Sequence, residues 1–138
     1  MIVLSRTVFR MLLALLVAVP ATAAERTGVG HANACAASDL LTGPCFAVHG
    51  RLTLCNGAPS ARIWVIGTHR VLGVADAADN PVGDDLLPGG LLGRMLSKPP
   101  CSEAAFGDFT VCPLTPERPE VMRHVCVVDS RNLIFQPW

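Results

Sequence analysis

Six cysteines constrain this chain more than any other feature: Cys35, Cys45, Cys55, Cys101, Cys112 and Cys126 all follow a leader that reads as an export signal. An even count of cysteines in an exported chain implies a disulfide framework in an oxidising compartment. The leader has the three parts of a secretory signal. Arg6 and Arg10 form a basic start, Met11 to Val19 is a Leu/Ala/Val run broken by Pro20, and Ala21-Thr22-Ala23-Ala24 supplies small residues for cleavage. That run is under half of the roughly 20 residues a spanning helix needs, so removal after Ala23 or Ala24 is expected rather than anchoring. A lipid anchor would need a cysteine at the cleavage site, and Cys35 lies too far on. The expected location is periplasmic or secreted, with no stable membrane insertion after cleavage. Residues 1–24 therefore read as signal peptide, 25–44 as a flexible leader fastened through Cys35, and 45–138 as one domain.

No Cys-x-x-C occurs, which argues against a thioredoxin-like site or a zinc ribbon. All six cysteines are disulfide candidates, and spacing alone does not choose their connectivity. The favoured pair is Cys112 with Cys126, each in a predicted strand on either side of a Pro-rich turn, Pro113 to Pro119, where a hairpin would bring them face to face. The alternative is Cys126 crossing to Cys45.

Loss of Arg6 and Arg10 tips a formally neutral chain to a small negative charge, with no basic patch and no run of like charge. Nucleic acid and anionic membrane are therefore not expected partners.

From Cys45 onward the hydropathy alternates. Phe46, Val48, Leu52 and Leu54 lie on one side and Ala47, His49, Arg51 and Thr53 on the other, which is a half-buried strand. Gly50 interrupts the apolar face and marks a bulge or a close contact. Asn56-Gly57-Ala58-Pro59 is a turn, and Arg62 to Thr68 a second strand; Arg70 to Val74 extends it or forms a third. An acidic loop runs from Asp76 to Asp85, and a short helix is expected within Pro88 to Leu96, ended by Pro99-Pro100. Further strands are expected at Phe106 to Cys112 and Met122 to Val128, with a last one at Asn132 to Phe135. The order predicts an all-β protein, a small disulfide-braced antiparallel β-sandwich with one short helix in a loop. Its core should rest on Phe46, Val48, Leu52, Ile63 and Val65.

Val48-His-Gly-Arg-Leu52, Asn56-Gly-x-Pro59 and Ile63-x-Val65, followed by Gly107-Asp-Phe109-Thr-Val111, resemble the strand and turn motifs of transthyretin-like and carboxypeptidase-regulatory-like β-sandwich domains. A longer pattern resembles an uncharacterised exported bacterial protein family. It runs Cys45-Phe46, Gly50-Arg51-Leu52, Asn56-Gly57, Arg62-Ile63-Trp64, Gly67-Thr68, Arg70, Leu72-Gly73, Asp108-Phe109, Val111-Cys112-Pro113, Val125-Cys126-Val127 and Asn132-Leu133. The first resemblance implies a sandwich and the second implies a single exported domain; neither implies an activity. The hydroxyisourate hydrolases related to transthyretin end in Tyr-Arg-Gly-Ser, whereas this chain has no tyrosine and ends Phe135-Gln-Pro-Trp138.

No catalytic residue, cofactor or metal ligand is assigned. No Ser lies in a Gly-x-Ser-x-Gly elbow, and the cysteines are accounted for as half-cystines. His49, His69 or His124 with a cysteine such as Cys126 would suit copper or zinc. A strand histidine facing outward beside a disulfide is the simpler reading. Asp76, Asp79, Asn80, Asp84 and Asp85 offer hard oxygen ligands for calcium but lack the order of a dedicated loop. His49, Arg51, Arg62 and His124 form the candidate ligand face. Arg70, with Arg51 and Arg62, would extend an anion-binding surface, unless these arginines simply pair with carboxylates. Trp64 is either a binding-surface aromatic or a satellite core residue under the acidic loop or helix. The expected function is a non-enzymatic module that binds a small ligand or another envelope protein. The rival is a metal-dependent or hydrolytic enzyme, and a third reading is a structural envelope component.

Overall fold

In a computed structural model the chain is described over residues 34–76 and 86–138. The expected signal peptide, residues 25–33 of the expected leader and the acidic loop apart from Asp76 lie outside these residues.

Among the described residues there are five strands: β1 (Phe46–Leu54), β2 (Ala61–Val65), β3 (Val71–Val74), β4 (Glu103–Pro113) and β5 (Arg123–Pro137). One helix, α1 (Leu91–Leu96), lies between β3 and β4. The strands are ordered β1-β2-β3-β5-β4, and β1 also pairs with β4, so the sheet closes on itself. All pairings are antiparallel except β3 with β5, which is parallel. This is the strand order of a five-stranded Greek-key barrel of the OB type. The all-β class, the short helix and the disulfide brace are as the sequence predicts. The sheet is a closed barrel with one parallel pair, not two stacked antiparallel sheets. Local periodicity marks strands, but it does not say which distant strands meet.

Closure has a local cause in β5. The register against β4 slips between Phe106 and Asp108 and again between Thr110 and Val111, each time by an extra residue on β5. Such bulges bend a strand and raise its twist, which a small barrel requires. The two strands expected at Met122 to Val128 and Asn132 to Phe135 are thus one continuous, bulged strand. Asn132 takes a left-handed φ of 55° at the irregularity opposite Phe106 and Asp108, a conformation that Asn tolerates better than most residues.

Period-two alternation puts Leu52, Ile63, Leu72, Val74, Phe109, Val111, Val125 and Val127 inside the barrel, all fully buried. Of the five residues expected to carry the core, Leu52 and Ile63 are at its centre; Phe46, Val48 and Val65 are half-buried and pack against it. Leu91 and Met95 of α1, four residues apart on one helix face, join the same core. Gly50 is a close contact rather than a bulge: a Cβ there would stand 2.5 Å from Ile63 Cγ2.

A second, smaller core lies outside the barrel wall, where Cys35, Cys112 and Cys126 pack with Leu41, Leu114 and Val128. It fastens residues 34–44 onto β4 and β5, helped by the Thr42 amide donating to the Pro113 carbonyl at 2.9 Å. The disulfides are Cys35–Cys126, Cys45–Cys112 and Cys55–Cys101. The expected Cys112–Cys126 bond is therefore incorrect, and so is its alternative, Cys45–Cys126. Barrel closure explains the error. β4 has two neighbours, so Cys112 meets Cys45 at the foot of β1 as well as Cys126 on β5, and Cys35 takes Cys126.

Candidate functional site

The outer face of β1–β2–β3 carries a groove of about 390 Å³ lined by Arg51, Thr53, Asn56, Arg62, Trp64 and Trp138, with Val71 and the Cys55–Cys101 disulfide. Alternation creates it. With Leu52 and Ile63 pointing inward, Arg51 and Thr53 of β1 and Arg62 and Trp64 of β2 must point outward. The register makes direct cross-strand pairs of Arg51 with Trp64 and of Thr53 with Arg62.

Hydrogen bonds tie down the Trp64 side chain and the Trp138 backbone. The Trp64 indole N–H donates to the Thr68 carbonyl at 2.8 Å, and Thr68 is fixed in turn by its hydroxyl donating to the Val65 carbonyl at 2.8 Å. The Trp138 amide donates to the Ser102 carbonyl at 3.0 Å, and the Cys101 amide to the Leu54 carbonyl at 2.9 Å, so the last residue of the groove is tied to the end of β1. The Arg62 guanidinium occupies the space over the Asn56–Gly57 turn. A Cβ on Gly57, at φ 123°, would lie 2.6 Å from Arg62 Nη2, so only glycine leaves that space open. The Arg51 guanidinium carbon lies 4.8 Å from the Trp64 ring centroid and 4.3 Å from that of Trp138, within cation–π range of both.

Arg51 and Arg62 differ electrostatically from most other arginines. Arg70 and Arg123 share Glu117, Arg94 meets Glu103, and Arg131 meets Asp129. Among the described residues no carboxylate pairs with Arg51 or Arg62, and Arg51 Nε is screened from solvent without a hydrogen-bond partner. A second depression of about 490 Å³ lies between the β2–β3 turn and the β4–β5 loop. It is larger, but Glu117 and Glu120 line it, and Glu117 pairs with two of its three arginines, Arg70 and Arg123. Of the two, the smaller groove is the one with no Asp or Glu among its lining residues.

Of the ligand face expected from sequence, Arg51 and Arg62 come together, whereas His49 and His124 lie elsewhere. His49, further along β1, pairs through Nδ1 with Asp108 at 2.8 Å, and Asn132 donates to the other Asp108 oxygen at 2.8 Å. The Asn132 hydrogen bond, then that of His49, holds the Asp108 carboxyl below the usual aspartate range. Among the described residues no hydroxyl or thiol hydrogen-bonds to the His49 ring, so the pair lacks the nucleophile of a triad. His124 is half-buried on β5 beside Gly73 and Met122. His69 lies in the exposed β2–β3 turn. Among the described residues the one close grouping of potential metal ligands is Cys35, Cys112 and Cys126, whose sulfurs are bonded in disulfides. Trp64 is a surface aromatic and not a satellite core residue. Sequence reasoning missed Trp138, which reaches the groove only because β5 ends beside Ser102. No local pattern signals that approach.

The chain matches no protein-family model, no curated protein and no solved structure. Its functional reading rests on its own geometry.

Proposed function

We propose that this is an exported, non-enzymatic binding module whose ligand site is the β1–β2–β3 groove and whose ligand is anionic. Three disulfides support an oxidising, extracytoplasmic setting for the folded chain, and the signal cleavage expected after Ala23 or Ala24 agrees with it. The observation that carries the proposal is the pair of arginines, Arg51 and Arg62, that meet no carboxylate side chain among the described residues, set beside two indoles, of which Trp64 is hydrogen-bonded in place. A stacked guanidinium keeps its in-plane N–H donors for a carboxylate or phosphate, which it takes bidentately. The site is built before any ligand arrives, so binding loses little to ordering of side chains. Barrels with this strand order use the same face for oligonucleotides and oligosaccharides, a fold-level analogy that supports the location and not the ligand.

The chain has two tryptophans, Trp64 and Trp138, and both line the groove. Intrinsic fluorescence therefore reports on this site alone. Titration with acetate and with inorganic phosphate, at ionic strength held constant with chloride, should give a saturable change that Arg51→Gln removes. A response no different from chloride's would contradict the proposal.

A further inference from the structure

We infer that the groove's ligand is an acidic saccharide, a chain of sugars bearing carboxylates; this rests on the anion-binding reading above and narrows it. Four observations converge. First, Trp64 and Trp138 remain 36% and 62% exposed although both touch Arg51, so each indole keeps surface for the apolar C–H face of a pyranose ring, as amphipathic aromatics do. Second, no Asp or Glu among the described residues pairs with Arg51 or Arg62, and no Asp or Glu side chain is among the residues lining the groove. Third, the Asn56 amide and the Thr53 hydroxyl line the same groove and supply both donors and acceptors for sugar hydroxyls. Fourth, the strands that carry the groove are paired on both sides, β1 at residues 51–53 by β2 and β4 and β2 at residues 62–64 by β1 and β3, so a peptide cannot add beside them as a further strand.

A nucleic acid would also offer anions and stacking faces, but it asks for a row of cations along its backbone. This face supplies two arginines that pair with no carboxylate among the described residues, and in the neighbouring depression Glu117 engages Arg70 and Arg123, which leaves Arg118 as the one further arginine and no row of cations. Two widely used contacts, guanidinium to carboxylate and indole to ring, fit a sugar acid without further charge.

The test uses the exported, fully oxidised protein and three probes: tetragalacturonate, the neutral galactose tetrasaccharide, and an oligothymidylate of similar length. Calorimetry and tryptophan fluorescence should show saturable binding of tetragalacturonate, at least about tenfold tighter than the neutral sugar. Arg51→Lys keeps the charge and loses the planar fork, and it should weaken that binding by about tenfold at an unchanged melting temperature. Trp138→Ala, at an exposed position outside the core, should weaken both sugars alike. Equal affinity for the neutral tetrasaccharide would overturn the inference, because the arginines would then read nothing. Preference for the oligothymidylate would overturn it in favour of nucleic acid. Absence of tetragalacturonate binding, with the acetate and phosphate responses intact, would remove the saccharide and leave the anion site standing; loss of all of them would remove both.

Discussion

Cys112 and Cys126 stand directly opposite each other on β4 and β5, yet each is bonded to a cysteine from another segment. Cys45 reaches Cys112 from the start of β1, and Cys35 reaches Cys126 from residues 34–44. Peptide mapping under non-reducing conditions should recover Cys35–Cys126, Cys45–Cys112 and Cys55–Cys101. A linked peptide joining Cys112 to Cys126 would show that the leader is not fastened as described.

The three bonds should not reduce together. Cys35 and Cys126 are fully buried, whereas Cys101 is exposed and Cys55 half-buried at the rim of the groove. Thiolate attack needs access, so mild reductant should open Cys55–Cys101 first. That bond ties the segment holding Trp138 to the end of β1, and its loss should weaken the fluorescence response to anions before the fold melts. Trapping of free thiols with a mass label checks the order; early labelling of Cys35 or Cys126 would contradict it.

Gly50 and Ile63 test the barrel interior. Leu52→Ala or Ile63→Ala should cost about 2–5 kcal/mol, as for fully buried aliphatic residues, and Val65→Ala less because Val65 is half-exposed. Gly50→Ala should cost about 1–3 kcal/mol, since its methyl would meet Ile63 Cγ2. Combining it with Ile63→Ala removes that atom, so the double variant should be more stable than the sum of the two losses implies. Strict additivity by chemical denaturation would mean that the two residues do not touch.

The strands were legible because alternation is local. Phe46 to Leu54, Ile63 to Val65 and Val71 to Val74 each show which residues turn inward, and the same parity brought Arg51 and Arg62 onto one outer face. Leu91 and Met95 carried the helix by their four-residue spacing. What depends on distant partners was not legible. The parallel meeting of β3 with β5 joins Leu72 to Arg123 across an intervening helix and strand. Asp129-Ser-Arg131 looks like a break between strands, but bulges carry β5 through it. Parity alone grouped His49 with Arg51, yet Asp108 and Asn132 hold His49 outside the groove. Trp138 joins the site through one backbone hydrogen bond to Ser102, which nothing in its neighbourhood announces.

Asp108 gives a prediction about pH. Its folded carboxyl titrates below the usual aspartate range, chiefly through the Asn132 hydrogen bond and then through His49. A depressed carboxyl favours the folded state when ionised. Its contribution is complete above the unfolded value and is lost as pH falls through the lowered one. Asn132→Gly keeps the left-handed backbone and removes the donor, so the Asp108 carboxyl should titrate at higher pH by NMR. An unchanged titration curve would show that the Asn132 hydrogen bond does not persist in solution.

The central claim is that Arg51 and Arg62 form the anion site, and their side-chain Nε–H NMR signals report it residue by residue. On addition of tetragalacturonate or inorganic phosphate, the Arg51 and Arg62 signals should shift in a saturable way, while those of Arg94 and Arg131, already engaged by Glu103 and Asp129, stay in place. Shifts confined to Arg70 and Arg123 would move the site to the depression around Glu117, and no saturable shift at Arg51 or Arg62 would contradict the account.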